Sequence, residues 1–328
     1  MKRKDGEIYG AVIGDICGSA YEGGGGKTNK PETIDLMRPD CKFTDDTVLT
    51  AAINAAVQVA HCPQIVDGER VAYRCDEIVY PYGKVMQMVA RAYPGAGYGG
   101  NFCNWMLSPT LRPYNSYGNG SAMRVSPIGW LFLTEEEVLK EAKLSAMPTH
   151  NHPEGVKGAQ SVALAIFMLK NGATKTEVKE RIEKEFGYDL SRTLEEIRPN
   201  YYFEVSCQKS VPESFIAFFE SHDFASALQN AISLGGDTDT MAAIAGSLAQ
   251  SHYDEVPEEL INFVKQKMAE TGETGRLERM VMLYTEYASL SHGLIISHYL
   301  QKLCPDFETD ETTRSFAAGR RAYYENYN

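Results

Sequence analysis

Nowhere in this chain do apolar side chains run on for the roughly 20 positions that a membrane-crossing helix requires, so no span is expected. Export is not expected either: Lys2, Arg3 and Lys4 make a basic start, but Asp5, Gly6 and Glu7 follow where the apolar stretch of a signal would have to stand. There is no C-x-x-C pair. The seven cysteines (Cys17, Cys41, Cys62, Cys75, Cys103, Cys207, Cys304) are odd in number and scattered, which argues against zinc and points to reduced thiols in a soluble, cytoplasmic protein. Basic charge is also short. A net charge of −12 with no basic stripe makes binding to a nucleic-acid backbone an unpromising expectation. An acidic chain can still take an anionic ligand if metal ions supply the positive charge.

Strand alternation is nearly absent, with only residues 201–205 reading as strand-like, so an all-α architecture is expected. The 43% of apolar residues over 328 positions suffices for a large core without disulfides. Segments 46–60, 153–169 and 240–249 carry small residues in several turns, the pattern of helices packed on every side. Three capping boxes are predicted at helix starts: Thr134 with Glu137, Thr174 with Glu177, and Ser210 with Glu213. Glycine and proline cluster over 23–31 and 94–120, which are therefore expected to be ligand-binding or flexible loops. One domain over 1–290 is expected, with 291–328 as a C-terminal appendage because 306–313 is polar and acidic.

Three acidic clusters carry the chemical signal. In the first, Gly10, Gly14 and Gly18 recur every four residues, so one helix face invites a neighbouring backbone; Asp15 and Glu22 would share a direction if the helix ran that far. The plainer reading of that segment is a tightly packed helix with a solvated acidic edge. The second, Thr44-Asp45-Asp46-Thr47, stands directly ahead of an apolar helix, where capping and the helix dipole would explain acids equally well. The third, Gly235-Gly236-Asp237-Thr238-Asp239-Thr240, repeats the arrangement, with glycines that allow a sharp turn before the acids.

The combination decides between these readings. Two helix starts each offer paired Asp with flanking Thr hydroxyls and no Lys or Arg inside the motif, so buried together they would repel and call for a cation. Oxygen-only donors favour Mg²⁺ or Mn²⁺ over zinc, and four to five carboxylates suit two ions. An EF-hand fails because its sixth position, counted from Asp237, is Ala242. A phosphate loop ending at Lys27 fails because glycine would be needed where Tyr21 stands.

These residues resemble the ADP-ribosylglycohydrolase family over roughly residues 8 to 250, through five ordered motifs. They are Gly14-Asp15 through Glu22; Thr44-Asp45-Asp46-Thr47; Ser116-Tyr117-Gly118-Asn119-Gly120-Ser121-Ala122-Met123-Arg124; Thr149-His150 followed by Gly158-Ala159; and Gly235-Gly236-Asp237-x-Asp239-Thr240. The resemblance implies a compact orthogonal multi-helix bundle around a binuclear centre of two Mg²⁺ or Mn²⁺ ions. Its ligands would be Thr44, Asp45, Asp46, Asp237, Asp239 and Thr240, with Asp239 bridging and counted as catalytic. Glu22 would be the mobile active-site acid, and Ser116, Tyr117, Gly118, Asn119 and His150 would line the phosphate and ribose subsite. Gly97, Tyr98 and Gly99 match a further family loop more weakly, and the chain departs from some relatives in having Leu111 and Tyr114, not Phe, shortly before Ser116.

Several of these residues have plainer readings. Pro153 suits the first turn of a helix entered through His150, Asn151 and His152; Tyr117 reads as a core aromatic; and Arg124 reads as a structural anchor. The implied activity is hydrolysis of the N- or O-glycosidic bond of an ADP-ribosyl group carried by a protein or a small molecule. Glu22 would act as general base or as a gate. The alternatives are a non-catalytic ADP-ribose binder, a crystallin-like structural member of the same fold, and a phosphohydrolase acting on the pyrophosphate.

Overall fold

The computed structural model describes residues 9–270 except 24, 62–63, 67–68, 72–78 and 254. Position 291–328, the expected appendage, lies outside the described residues. Helices dominate, as the apolar periodicity predicts. In chain order they are α1 (Tyr9–Ser19), α2 (Asp45–His61), α3 (Val79–Ala92), α4 (Gly100–Leu107), α5 (Gly120–Met123), α6 (Ser126–Leu131) and α7 (Glu135–Ala146). There follow α8 (Pro153–Lys170), α9 (Lys175–Phe186), α10 (Leu194–Ile197), α11 (Cys207–Phe219), α12 (Phe224–Ser233), α13 (Thr238–His252) and α14 (Glu258–Ala269). A short antiparallel hairpin, β1 (Gln64–Val66) with β2 (Glu69–Val71), follows α2. Among the described residues no helix is long and apolar enough to cross a membrane.

The axis of the bundle is α13, buried from Thr238 to Ala249 and packed by α1, α8, α11 and α12. Its small side chains make this possible, and its two buried serines are satisfied inside the helix: Ser247 Oγ donates to Ala243 O and Ser251 Oγ to Ser247 O, each at 2.8 Å. The glycine stripe of α1 lies against it at backbone distance. A Cβ on Gly14 would sit 2.0 Å from Ala242 O, one on Gly10 2.4 Å from Gly246 O, and one on Gly18 2.5 Å from Thr238 O. Any side chain there would push the two helices apart. This approach brings Asp15 of α1 beside the first turn of α13.

Two of the three predicted capping boxes form, at Thr134 with Glu137 and Thr174 with Glu177. The third does not. Ser210 lies inside α11, whose N-cap is Ser206, and its hydroxyl donates back to Ser206 O at 2.8 Å; Glu213 pairs instead with Arg192 at 2.8 Å. Residues 201–205 form no strand; an isolated antiparallel bridge, Gly118 to Ser206, follows directly after them. The 94–120 stretch is not all loop, since α4 interrupts it.

Candidate metal centre

The start of α2 is capped from outside. Asp15 Oδ2 accepts from Thr44 N at 2.9 Å and Thr47 N at 3.0 Å and from the Thr47 hydroxyl, while Oδ1 accepts from Thr44 Oγ1 at 2.7 Å. One carboxylate of α1 thereby serves the free N–H groups that a cap of α2 would normally serve. Asp45 and Asp46, in the first turn of α2, are released from capping. Asp15 is fully buried, so the expected solvated acidic edge does not exist.

The start of α13 is prepared by Gly235 and Gly236, whose φ values of 75° and 85° put both in the left-handed region that glycine tolerates. The chain then presents Asp237 at the N-cap without using it as one: its Oδ2 accepts from Asn119 Nδ2 at 2.7 Å. Thr238 ties the turn to α1 by donating to Gly18 O at 2.9 Å. Asp239 Oδ1 accepts from Thr240 N at 2.9 Å, and Thr240 Oγ1 lies 3.3 Å from Asp46 Oδ2, with Thr44 Oγ1 3.4 Å from the same oxygen.

The two segments predicted to converge therefore do so. Carboxylate oxygens of Asp15, Asp46 and Asp239 lie within 4.8 Å of one another, and so do those of Glu22, Asp237 and Asp239, which makes Asp239 common to both groups. Asp45 belongs to neither group; it is half-buried and faces Gly97, where a Cβ would come 3.7 Å from its Oδ1. Burial, then the charge of Asp239, pushes the carboxyls of Asp15 and Asp45 up to about 7 and those of Asp46 and Asp237 well above the usual range. The groups acting most strongly on these four include no Lys or Arg. Asp46 Oδ1 is buried without a hydrogen-bond partner among the described residues. An orphaned anionic oxygen inside a set of hard oxygen donors is what a divalent cation would satisfy, so the residues present fit the expected metal.

Glu22 reaches this cluster differently from the way its spacing suggests. The helix α1 ends at Ser19, a turn follows, and Gly23 N donates to Gly236 O at 3.0 Å, which carries Glu22 to the solvent edge beside Asp237 and Asp239. Burial and Asp239 raise its carboxyl, with Lys42 opposing. On the far side of Asp237, Asn119 joins the acidic cluster to the 116–120 loop. That loop is fastened by Ser116 N to Thr149 O at 3.2 Å, Asn119 N to Val205 O at 2.8 Å, and Gly118 N to Ser116 Oγ at 3.1 Å. His150 is buried behind it, while Tyr117 is 54% exposed and meets His152 edge-on, so it is a rim residue and no part of the core. His152 caps α8 and Pro153 fills its first turn, as the helix-entry reading anticipated. Tyr98 is buried against Phe102, and Gly99 caps α4. Asp15 stands outside the expected ligand set, and its carboxylate lies in the same cluster. Its signal was present in the small-residue face around it, which marks a close helix contact and hence a buried carboxylate.

A helical scaffold that gathers carboxylates from α1, α2 and α13 defines the class first: a helical protein with an acidic centre that could hold divalent cations. The model of the family described as ADP-ribosylglycohydrolase matches residues 2–291. The chain belongs to the ADP-ribosylglycohydrolase family of glycosidic-bond hydrolases. Among curated relatives, the ADP-ribosylhydrolase ARH3 of Homo sapiens is 26% identical over 343 residues, covering 79% of this chain and 88% of that protein. The ADP-ribosyl-[dinitrogen reductase] glycohydrolase of Rhodospirillum rubrum is 24% identical over 289 residues, covering 77% and 86%. A solved structure titled ADP-ribosylglycohydrolase-related protein complex superposes with a TM-score of 0.57 at 19% identity, covering 84% of this chain and 94% of that one, and carries the likeness of fold.

Proposed function

We propose that this protein hydrolyses the N- or O-glycosidic bond of an ADP-ribosyl group carried by a protein side chain or a small molecule, with two Mg²⁺ or Mn²⁺ ions as cofactor. The observation that carries this reading is the convergence of carboxylates from two distant segments, one of them Asp46 with a buried Oδ1 that has no partner among the described residues, in a chain of this family. Thr44, Asp45, Asp46, Asp237, Asp239 and Thr240 would hold the ions, with Asp239, common to both carboxylate groups, between them. When bound, the ions supply positive charge that orients the ribose hydroxyls and offsets the mutual repulsion of the acids.

The chain's own residues do the remaining work. A ribosyl bond breaks with positive charge growing on the sugar, so the departing group and the attacking water must be placed on opposite sides of the anomeric carbon or on one controlled face. Glu22, at the solvent edge with a raised carboxyl, is suited to take the proton of that water as general base. Asn119 orients Asp237 and ties the centre to the loop of Ser116, Tyr117 and Gly118, which with His150 would receive the phosphates and ribose. The exposed ring of Tyr117 on that loop suits stacking on a flat base.

Incubation with arginine-, serine- and acetyl-linked ADP-ribose in Mg²⁺ or Mn²⁺, followed by chromatography of the products, tests the reading. Release of intact ADP-ribose from at least one of them is expected. Release of AMP would replace it with a phosphohydrolase. In titration calorimetry, Asp45→Asn and Asp239→Asn are expected to lose Mn²⁺ binding together with turnover; wild-type affinity in either would remove that residue from the ligand set.

A further inference from the structure

Arg124, at the C-cap of α5, is fully buried, yet among the described residues its guanidinium makes hydrogen bonds through Nη2 alone, to Ser145 O at 3.3 Å and Thr149 Oγ1 at 2.8 Å, and Nε and Nη1 have no partner. Thr149 Oγ1 in turn lies 2.7 Å from His150 Nδ1. A guanidinium has no acceptor, so Thr149 Oγ1 accepts from Arg124 and keeps one hydrogen to give. Among the described residues, the acceptor within its reach is His150 Nδ1. A hydrogen on Nδ1 would make the ring a second donor to Thr149 Oγ1 and leave the buried hydroxyl hydrogen without a partner, an arrangement that folded proteins avoid. The ring nitrogen Nδ1 thus accepts, and in the neutral ring the proton sits on Nε2. Burial and the Arg124 charge both disfavour a second proton on the ring.

The other nitrogen faces the backbone of the loop ahead of α5. A Cβ on Gly120 would come 3.1 Å from His150 Nε2 and one on Gly118 3.6 Å, so two glycines leave room on that side of the ring. We propose that Arg124 and Thr149 are positioning residues that lock His150 as its Nε2–H tautomer, so that a neutral N–H donor is aimed past Gly118 and Gly120 at an acceptor oxygen of a bound diphosphate. The identity of that ligand rests on the reading of the site given above; the tautomer does not. Had Thr149 been an apolar residue of the same shape, nothing would fix which ring nitrogen carries the proton, and an acceptor nitrogen turned to an anionic oxygen would repel it.

Long-range proton–nitrogen NMR on the full chain with ¹⁵N-labelled histidine reads the tautomer directly, and His150→Asn identifies the signals among those of the seven histidines. An acceptor-type Nδ1 with a protonated Nε2 is expected in the wild type without ligand. A protonated Nδ1 overturns the proposal by itself, without any variant. Thr149→Val is expected to mix the tautomers and weaken ADP-ribose binding in calorimetry by roughly tenfold, the loss of about one hydrogen bond, and Thr149→Ser to restore both. A Thr149→Val protein with the wild-type spectrum and affinity would overturn the relay. Wild-type protein with the expected tautomer and no affinity for ADP-ribose would sink the proposed function while leaving the relay standing.

Discussion

Asp15 shows how much of a site can depend on a residue outside its expected ligand set. Its two oxygens take four hydrogen bonds from Thr44 and Thr47, and by capping α2 they leave the Asp46 carboxylate to join the acidic cluster. Asp15→Ala, measured by urea denaturation in saturating Mg²⁺, is expected to cost about 1–3 kcal/mol, because it strands buried N–H donors. An unchanged midpoint would mean that water or another group caps α2. Glu22 is the opposite case, exposed and held by little. Glu22→Gln is expected to abolish turnover and leave ADP-ribose affinity intact, and unchanged hydrolysis would remove it from the mechanism. Most of the residues that meet at the centre were legible in the sequence, since paired Asp beside Thr at two helix starts is a chemical pattern. The service of Asp15 was not, because nothing in a linear spacing tells which helix end a carboxylate on another helix will face.

At the scale of elements, the centre exists because α1 and α13 touch backbone to backbone. Gly14→Ala would place a Cβ 2.0 Å from Ala242 O, where only main chain stands and no flexible tip can yield. The substitution is expected to destabilise the fold by about 3 kcal/mol and to weaken metal binding with it, as denaturation and calorimetry on one sample would show. A wild-type metal affinity in a destabilised protein would mean that the helix contact and the centre are independent. The three helices read from small apolar segments are present as α2, α8 and α13, and two capping boxes were placed from a hydroxyl and a Glu three residues on. Ser210 failed as a cap because the chain enters α11 one turn earlier, at Ser206, which the apolar pattern does not mark. The helix α4 was hidden because glycine and proline on both sides of it outweighed eight residues of helical pattern. The turn at Tyr21 and Glu22 was hidden because its direction is set by Gly23 N reaching Gly236, a contact more than two hundred positions away in the chain.

Over the whole molecule, the net charge of −12 is partly concentrated in one buried cluster. Without cations, the carboxyls of Asp15 and Asp45, raised to about 7, hold protons in the folded state that the unfolded chain releases near pH 4. Their contribution to stability is therefore present below pH 4 and lost as pH rises through about 7. Cations bound at the proposed centre would replace those protons, so the gain in Tm on adding MgCl₂ or MnCl₂ is expected to be larger at pH 8 than at pH 6 in differential scanning fluorimetry. An equal or smaller gain at pH 8 would show that the cluster is not where the ions act. The proposed function requires residues 44–46 and 237–240 to hold a pair of divalent cations between them. Anomalous diffraction from crystals soaked in MnCl₂ tests it most directly. The expected result is two neighbouring Mn²⁺ peaks among Thr44, Asp45, Asp46, Asp237, Asp239 and Thr240; peaks elsewhere, or a single ion held by one segment alone, would contradict it.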